Sequence, residues 1–349
     1  MKKLPNSTKI CQNLLKNLPS KQKEVIVRRF GLEGDHQQRE TLESIGQSFK
    51  ITRERVRQIE SDGLSKIKPR LKDYQDFVRS LANYFKHQGD LKREDFLLSD
   101  LGGEKYQNQL YFLLTLVDNF TRFGDSSDFY PLWTTNPKSL NFAKTINNFL
   151  IGQLKGIKEP LSFPKISEIY RQRFSRDKKR LSPQALLSFI EISRGIEEGV
   201  DGLFGIRDWP EINPKGIKDK AYLVLKKVGK PLHFAEITSQ IPQLKLANGA
   251  NRIKVALPQT VHNELIRDPR FVLVGRGIYG LKEWGFIPGF VKEIIENVLK
   301  GRNKPMAKEE VIKEVLKQRL VKANTVLMNL QNRKYFFRDS QGRYLVKKI

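Results

Sequence analysis

A short β-type motif closes three successive stretches of the sequence, and this repeat constrains the fold more than any other feature. The motif reads Gly202-Leu-Phe-Gly-Ile-Arg-Asp-Trp209, then Gly277-Ile-Tyr-Gly-Leu-Lys-Glu-Trp284, then Gly342-Arg-Tyr-Leu-Val-Lys-Lys-Ile349. Its glycine, aromatic, aliphatic and final apolar positions stay in register, and the last two copies are separated by an offset of 65 residues. Such a repeat indicates a chain built from several similar units.

Upstream of each motif, the spacing of apolar residues predicts three helices. In the third stretch, residues 217–228, 234–241 and 260–266 have the helical period, and residues 271–274 and 278–281 alternate as a hairpin across a glycine turn. Three helices followed by a hairpin within about 60 to 75 residues are the plan of a winged helix.

Two stretches farther upstream fit the same plan more loosely. The first has predicted helices at 77–85, 93–101 and 107–119 with strands at 120–123 and 129–133. The second has predicted helices at 143–154, 166–174 and 183–195 with strands within 196–206. One irregular helical domain over residues 76–215 is the alternative. In either case we interpret the aromatic-rich stretch 111–133 as core.

A helix-turn-helix pattern occupies residues 41–60, Thr-Leu-Glu-Ser-Ile-Gly-Gln-Ser-Phe-Lys-Ile-Thr-Arg-Glu-Arg-Val-Arg-Gln-Ile-Glu. The first helix has an inner apolar stripe of Leu42, Ile45 and Phe49. Thr41 and Thr52 stand where the two helices need N-caps.

The second helix of this pattern presents side chains suited to reading DNA base edges. Val56 and Ile59 point inward at i,i+3, so the outward face consists of Arg53, Glu54, Arg57 and Gln58. Arginine can fork onto guanine, glutamate can accept from the cytosine amino group, and glutamine can pair with adenine. The expected partners of DNA phosphates here are Thr41, Lys50, Thr52 and Arg55.

Residues 18–68 closely resemble region 4 of the primary-type sigma factors of bacterial RNA polymerase. The resemblance is carried by the run from Thr52 to Glu60, which matches that family's recognition helix, and by Arg29-Phe-Gly-Leu32. It implies recognition of a minus-35 promoter hexamer, with Arg53, Glu54 and Gln58 at the base edges, and docking on the flap of the polymerase β subunit.

The sequence departs from that family in two respects. Asp62-Gly63 replaces a basic residue followed by alanine, and a glycine inside a helix costs about 1 kcal/mol, which places the distal half of the helix in doubt. Nothing downstream resembles the family's region 2, which captures melted promoter DNA. We therefore do not expect a self-sufficient sigma factor.

Residues 217–284 resemble the HARE-type winged helix, a module of the RNA polymerase δ subunit, of chromatin-associated proteins and of neighbours of restriction enzymes. The resemblance is carried by Gly229-Lys-Pro-Leu-His233, Asp268-Pro-Arg-Phe271 and Gly275-Arg-Gly-Ile-Tyr-Gly280. The last segment also fits G-x-G-x-x-G, but no helix follows it, so we interpret its glycines as a tight wing turn and expect no dinucleotide cofactor. Arg276 and Arg343, at the wing tips, are candidate phosphate contacts.

These patterns predict a mainly α fold with small β-hairpins, in which a sigma-region-4 helix-turn-helix is followed by tandem winged-helix units. The expected domains are residues 1–72 for the helix-turn-helix and 76–136, 138–212, 216–285 and 286–349 for the winged units.

The charge balance points to a polyanionic partner. The chain has 64 Lys and Arg against 38 Asp and Glu, a formal net charge of +26, and both ends of the chain are strongly basic, which favours double-stranded DNA. One cysteine and four widely separated histidines lead us to expect no metal and no cofactor. Without a long apolar run, we expect a cytoplasmic, nucleoid-associated protein with no membrane partner and no small-molecule substrate.

Three classes of function fit these features to different degrees. The leading hypothesis is a non-enzymatic DNA-binding transcription factor that recognises a minus-35-type element and docks on RNA polymerase. The alternative is a polymerase-docking regulator whose winged helices bind protein, although such a protein has no need of the base-reading face. A remote alternative is a nuclease-associated DNA-binding subunit, because HARE-type modules accompany nucleases, yet the sequence has no convincing catalytic cluster.

Overall fold

The computed structural model describes residues 7–32, 38–103, 105–174, 181–199, 202–244, 256–302 and 304–347. Ile349, the final position of the predicted repeat, lies outside them. The chain divides into two compact units: Met1–Glu197 with Phe204–Arg207, and Glu198–Leu203 with Asp208–Ile349.

The first unit begins with four helices that we call the head. They are α1 (Ser7–Leu15), α2 (Ser20–Phe30), α3 (Leu42–Phe49) and α4 (Arg53–Ile67). Helix α2 ends at Gly31, whose φ of 65° lies in the left-handed region that glycine adopts without strain. A 3-10 segment, Lys68–Tyr74, follows α4.

Three stretches after the head share one order of elements, which is helix, strand, helix, helix, hairpin, and a fourth has this order without the strand. The first comprises α5 (Gln75–His87), β1 (Leu91–Arg93), α6 (Glu94–Gly102), α7 (Gln107–Leu116), β2 (Thr121–Phe123) and β3 (Leu132–Thr134). The second comprises α8 (Lys138–Ile157), β4 (Leu161–Ser162), α9 (Phe163–Phe174), α10 (Pro183–Glu191), β5 (Ile196–Glu198) and β6 (Leu203–Ile206).

The third stretch repeats the same order, and the fourth repeats it without the first strand. The third comprises α11 (Gly216–Val228), β7 (Leu232–His233), α12 (Phe234–Gln240), α13 (Pro258–Arg267), β8 (Phe271–Gly275) and β9 (Ile278–Leu281), with 3-10 turns at Ile241–Gln243 and Lys282–Trp284. The fourth comprises α14 (Val291–Arg302), α15 (Lys308–Gln318), α16 (Ala323–Leu330), β10 (Phe336–Arg338) and β11 (Tyr344–Val346).

Three of the small sheets have the same topology, and the expected fold class of a helix-turn-helix followed by tandem winged helices is confirmed. The strand orders are β1-β3-β2, β4-β6-β5 and β7-β9-β8, so the last strand is central each time. In the fourth stretch a single bridge from Met306 to Tyr344 takes the place of the first strand.

The first strand of each sheet was not predicted from the sequence. β1, β4 and β7 contain only two or three residues, too few for an alternating pattern, and they are extended because they pair with the last strand. The offset of 65 residues is confirmed in three dimensions, since Phe271 and Phe336 begin hairpins and Tyr279 and Tyr344 lie buried on the last strands.

The head and the first winged helix share one hydrophobic core. α7 packs against α1 and α2, and the rings of Phe30 and Phe112 meet edge to face with centroids 5.1 Å apart. Asn108 Nδ2 donates to the carbonyl of Gly31 at 3.1 Å, and Gln109 Nε2 donates to that of Leu32 at 3.2 Å. The predicted boundary between residues 72 and 76 therefore falls within a continuous core.

The second winged helix attaches to the first through a similar use of its third helix. α10 packs on β1, and the backbone N–H of Tyr130 donates to the carbonyl of Ile192 at 2.9 Å. The Lys92 ammonium, 3% exposed, lies 2.6 Å from the Glu191 carboxylate. Burial raises the pKa of Glu191, and the bond from Lys92 opposes that rise.

The third helices of these two winged units are consequently unavailable to a partner. The sequences of α7, QNQLYFLLTL, and α10, PQALLSFIE, contain no Lys or Arg, and about half of their residues are buried, including nearly all of the large apolar ones. Both helices act as apolar supports inside the first unit.

In the second unit, Arg319 connects α15 to the segment that precedes α14. Its guanidinium group is 3% exposed and donates to the carbonyls of Ile287 at 2.5 Å and Gly289 at 2.8 Å. The next backbone N–H, of Leu320, donates to the carbonyl of Val274 on β8 at 2.7 Å. These bonds hold the third and fourth winged helices together.

The shared core predicts that head and first winged helix lose structure together. Phe30→Ala should lower the free energy of unfolding by about 3–5 kcal/mol, because it removes a ring buried between α2 and α7. Hydrogen exchange should show amides of α4 and α7 losing protection in parallel, whereas Phe337→Ala, at a ring that is 55% exposed, should change neither. Loss of protection in α4 alone would contradict the shared core.

Candidate nucleic-acid interface

The helix-turn-helix is formed by α3 and α4 and held at both helix starts by threonine caps. Thr41 Oγ1 accepts from the backbone N–H of Ser44 at 3.1 Å, and Thr52 Oγ1 accepts from that of Arg55 at 3.2 Å. The predicted capping roles are confirmed. Each bond satisfies an N–H that would otherwise lack an intrahelical partner.

The turn between the two helices requires a glycine at its closest approach. A Cβ atom on Gly46 would lie 2.8 Å from the carbonyl oxygen of Ile51, whose own N–H donates to the Gly46 carbonyl at 2.9 Å. Lys50 ends α3 in the left-handed conformation, with φ of 54°, and its side chain is exposed. The turn therefore presents a cation beside the start of α4.

The predicted base-reading set lies together on one exposed face of α4, opposite a buried face. Arg53, Glu54, Arg57 and Gln58 are exposed, while Val56 and Ile59 are buried with Val25 and Ile45 in a small separate core. This division is what a helix needs in order to present one face to a groove.

Several of these polar groups bind one another in the structure. Arg57 donates to both carboxylate oxygens of Glu54, at 2.7 to 3.1 Å, and Arg55 Nη1 donates to Gln58 Oε1 at 3.0 Å. The hydrogen bond from Arg57 lowers the pKa of Glu54, so this carboxyl remains ionised at neutral pH. Base contacts by these residues would replace the intrahelical bonds.

A charged network that sequence reasoning missed braces the head behind this face. Arg28 forms a two-pronged pair with Glu40, at 2.9 and 2.8 Å, and also donates to Ser48 in α3. Arg29 donates to the Glu40 carbonyl at 2.8 Å and pairs with Glu60 of α4 at 3.5 Å. The sequence signal for this network was the two adjacent arginines at the end of α2. The partners named above lie far from them in the sequence.

The doubt about the distal half of the recognition helix is removed by the structure. α4 continues without interruption through Gly63 to Ile67. Gly63 is buried, and a Cβ atom there would lie 2.7 Å from Cδ1 of Ile26 in α2. The glycine thus allows close packing of two helices.

The two predicted wing arginines have different surroundings. Arg276 is exposed at the hairpin tip next to Gly277, whose φ is 68°. Arg343 is half-buried, and its Nε donates to Asp339 at 2.9 Å within its own turn. Backbone N–H bonds, together with that ion pair, lower the pKa of Asp339. Arg276 is therefore the better placed of the two to meet a phosphate.

Other motifs belong to the core. Trp133 is 2% exposed, and its Nε1 donates to Glu94 at 2.8 Å. Phe112, Phe120 and Phe129 are also buried, so the interpretation of residues 111–133 as core holds for these aromatic side chains, whereas most of residues 121–128 are exposed. Gly275 has φ outside the left-handed region and lies against the Leu320 carbonyl. Close packing, and not a turn conformation, therefore accounts for the glycine at this position. Among the described residues, no helix is long and apolar enough to cross a membrane.

Comparison with known proteins places two segments of the chain in recognised families. Residues 14–68 match the family model of sigma-70 region 4. Residues 216–284 match the HARE-HTH model, a helix-turn-helix domain named in part after ASXL and restriction endonuclease. Both resemblances found in the sequence are confirmed.

Individual relatives are sigma factors that are similar only near the N-terminus. The RNA polymerase sigma factor RpoD of Helicobacter pylori (strain ATCC 700392 / 26695) is 41% identical over 75 residues, 22% of this chain and 10% of that protein. The sigma-C factor of Nostoc sp. is 41% identical over 73 residues, 20% and 17% of the two chains. SigA of Synechocystis sp. is 44% identical over 57 residues, 16% and 13%. The chain thus covers less than a fifth of these relatives.

The close approach at Gly46 predicts that one added methyl group there lowers the stability of the fold. Gly46→Ala should lower the free energy of unfolding by about 1–3 kcal/mol, because backbone must move to admit the Cβ atom. The matched control is Gly152→Ala in α8, where nothing lies within 4 Å, and it should raise stability by about 0.5–1 kcal/mol. Equal effects in urea denaturation would contradict the assigned role of Gly46.

Proposed function

We propose that this chain is a non-enzymatic, sequence-specific DNA-binding protein of transcription initiation, and that its head reads a minus-35-type promoter element. The observation that carries this proposal is the exposed, capped start of α4, where Arg53, Glu54, Arg57 and Gln58 face solvent opposite a buried apolar stripe. The match of residues 14–68 to sigma-70 region 4 supports it.

In the proposed complex, α4 enters the major groove by its N-terminal turns. Arg53 and Arg57 donate to guanine, Glu54 accepts from a cytosine amino group, and Gln58 pairs with adenine. Because Glu54 and Arg57 bind each other in the free chain, a base contact by either must replace those hydrogen bonds, and a wrong base pair offers nothing in exchange. This mutual pairing favours specificity over raw affinity.

Phosphate contacts would set the register of the head on DNA. The exposed starts of α3 and α4 direct backbone N–H groups outward beside Thr41 and Thr52, and helix starts favour anions. Lys50 and Arg55 add positive charge beside α4. Independently of the head, the exposed Arg276 of the second unit is a candidate for a phosphate contact of its own. Arg343 would contribute less, because it is paired with Asp339.

Docking on bacterial RNA polymerase, through the β flap, is the second part of the proposal. It is supported by the relatives, which are RNA polymerase sigma factors over the matched segment. A regulator that only docks on polymerase is the competing function, but it would leave the exposed reading face of α4 without a use. In either case, the first winged helix packs against the head and the second packs on the first.

The base-reading role predicts a sequence-dependent loss on mutation. Arg53→Ala should weaken binding to a duplex with a minus-35 hexamer by about 1–3 kcal/mol, because it removes a side chain of the reading face. It should also relax the sequence preference at the base pair that Arg53 contacts. The matched control is Lys66→Ala at the distal end of α4, which removes the same charge and should affect specific and scrambled duplexes equally. Fluorescence anisotropy measures both, and an equal loss for Arg53→Ala on the scrambled duplex would refute base reading.

The lack of a region-2 resemblance predicts that the chain does not open promoters alone. With core polymerase and promoter DNA, permanganate footprinting should show no reactive thymines, because we expect no element of this chain to capture the melted strand. The same core with a complete sigma factor serves as the positive control. Reactive thymines without that factor would mean that a melting element exists in this chain.

A further inference from the structure

The third helix of the fourth winged unit, α16, presents an uncharged polar face to solvent. Asn324, Thr325 and Met328 are exposed within one arc of the helix, and Met328 is 70% exposed. Val326 and Leu330 are buried on the opposite side.

Positive charge surrounds this face, as comparison with the third winged unit shows. At equivalent repeat positions, Lys322 replaces Leu257, Arg333 replaces Asp268, and Arg338 replaces the exposed Leu273. Between residues 322 and 347 the chain has six basic residues and one acidic residue, Asp339, which Arg343 neutralises. The matched stretch 257–282 has four basic and two acidic residues, and both acids lie in or next to α13.

The other third helices are poorer candidates for a partner surface. α7 and α10 are buried in the first unit and carry no basic residue. In α13, Glu264 brings negative charge to the helix, whereas Asp268, which follows the helix, is bound by Arg270 at 2.6 Å. Only α16, of the third helices in the described part of the chain, has exposed side chains, no Asp or Glu of its own, and exposed basic residues in both flanking segments.

We propose that α16 is a second DNA-reading element, which takes a separate segment of double-stranded DNA and prefers A·T base pairs. Asn324 would pair with the N6 and N7 edge of adenine, and the methyl groups of Thr325 and Met328 would contact the methyl group of thymine. Lys322, Arg333 and Arg338, all exposed, would bind the flanking phosphates. The proposal shares with the proposed function only the premise that the partner is DNA.

The test selects bound duplexes from a random pool with the full chain and then maps protection by hydroxyl-radical footprinting. The unaltered chain should protect two segments, one of them rich in A·T pairs. Asn324→Ala combined with Met328→Ala should abolish protection of the A·T-rich segment and reduce affinity at least about fivefold, the effect of losing one good base contact. Protection by the head should remain.

Matched controls occupy the same repeat positions of the third unit. Gln259→Ala with Asn263→Ala removes exposed side chains of α13 and should leave both protected segments intact. Arg53→Ala should remove only the segment read by the head. All substituted side chains are exposed, so circular dichroism should confirm unchanged folding of each variant.

The outcomes separate the two proposals. One protected segment, lost with Arg53→Ala and untouched by the α16 variant, would overturn the second reading element and leave the head's function standing. An A·T-rich segment lost only with the α16 variant, without any effect of Arg53→Ala, would support α16 and refute the head. Equal losses from the α13 and α16 variants would overturn the assignment to α16.

Discussion

The structure of the first unit depends on the burial of α7 against α1 and α2. The small core of the helix-turn-helix has four buried apolar side chains, Val25, Ile45, Val56 and Ile59, which is very little for an independent domain. The opposite side of α2 supplies Ile26 and Phe30 to a much larger core that includes Phe112 of the first winged helix. Apolar burial at this joint is therefore the main source of the head's stability.

This arrangement divides the winged helices into two kinds. In the first two, the third helix is apolar and packs on a neighbouring module, and the joint is completed by buried polar groups such as Lys92 with Glu191. In the last two, the third helix has exposed polar residues. One fold thus serves as a support near the head and as a presented surface near the C-terminus, and the difference lies in side chains and not in topology.

Ion pairs and hydrogen bonds within α4 order its exposed side chains. The bonds between Arg57 and Glu54, and between Arg55 and Gln58, are solvent-exposed and contribute little to stability. They hold the side chains in a row along α4, and the proposed base contacts would replace them. The stronger braces lie behind, where Arg28 and Arg29 connect α2 to Glu40 and to Glu60 in α4. Burial raises the pKa of Glu60, and Arg29 opposes that rise.

Local patterns in the sequence were sufficient to predict the helix-turn-helix, its threonine caps and the outward set from Arg53 to Gln58. They also predicted the repeat with its offset of 65 residues. Each of these features depends on residues close together in the chain. Tertiary structure alone decided features that depend on distant partners. It extended β1, β4 and β7 by pairing them with later strands, assigned Gly63 to a close approach with Ile26, and paired Arg29 with Glu60. It also buried α7 and α10. The apolar residues of these helices indicate that they are covered, but they do not indicate which part of the chain covers them. The covering surfaces lie on other modules, and packing between modules leaves no periodic signal in either segment.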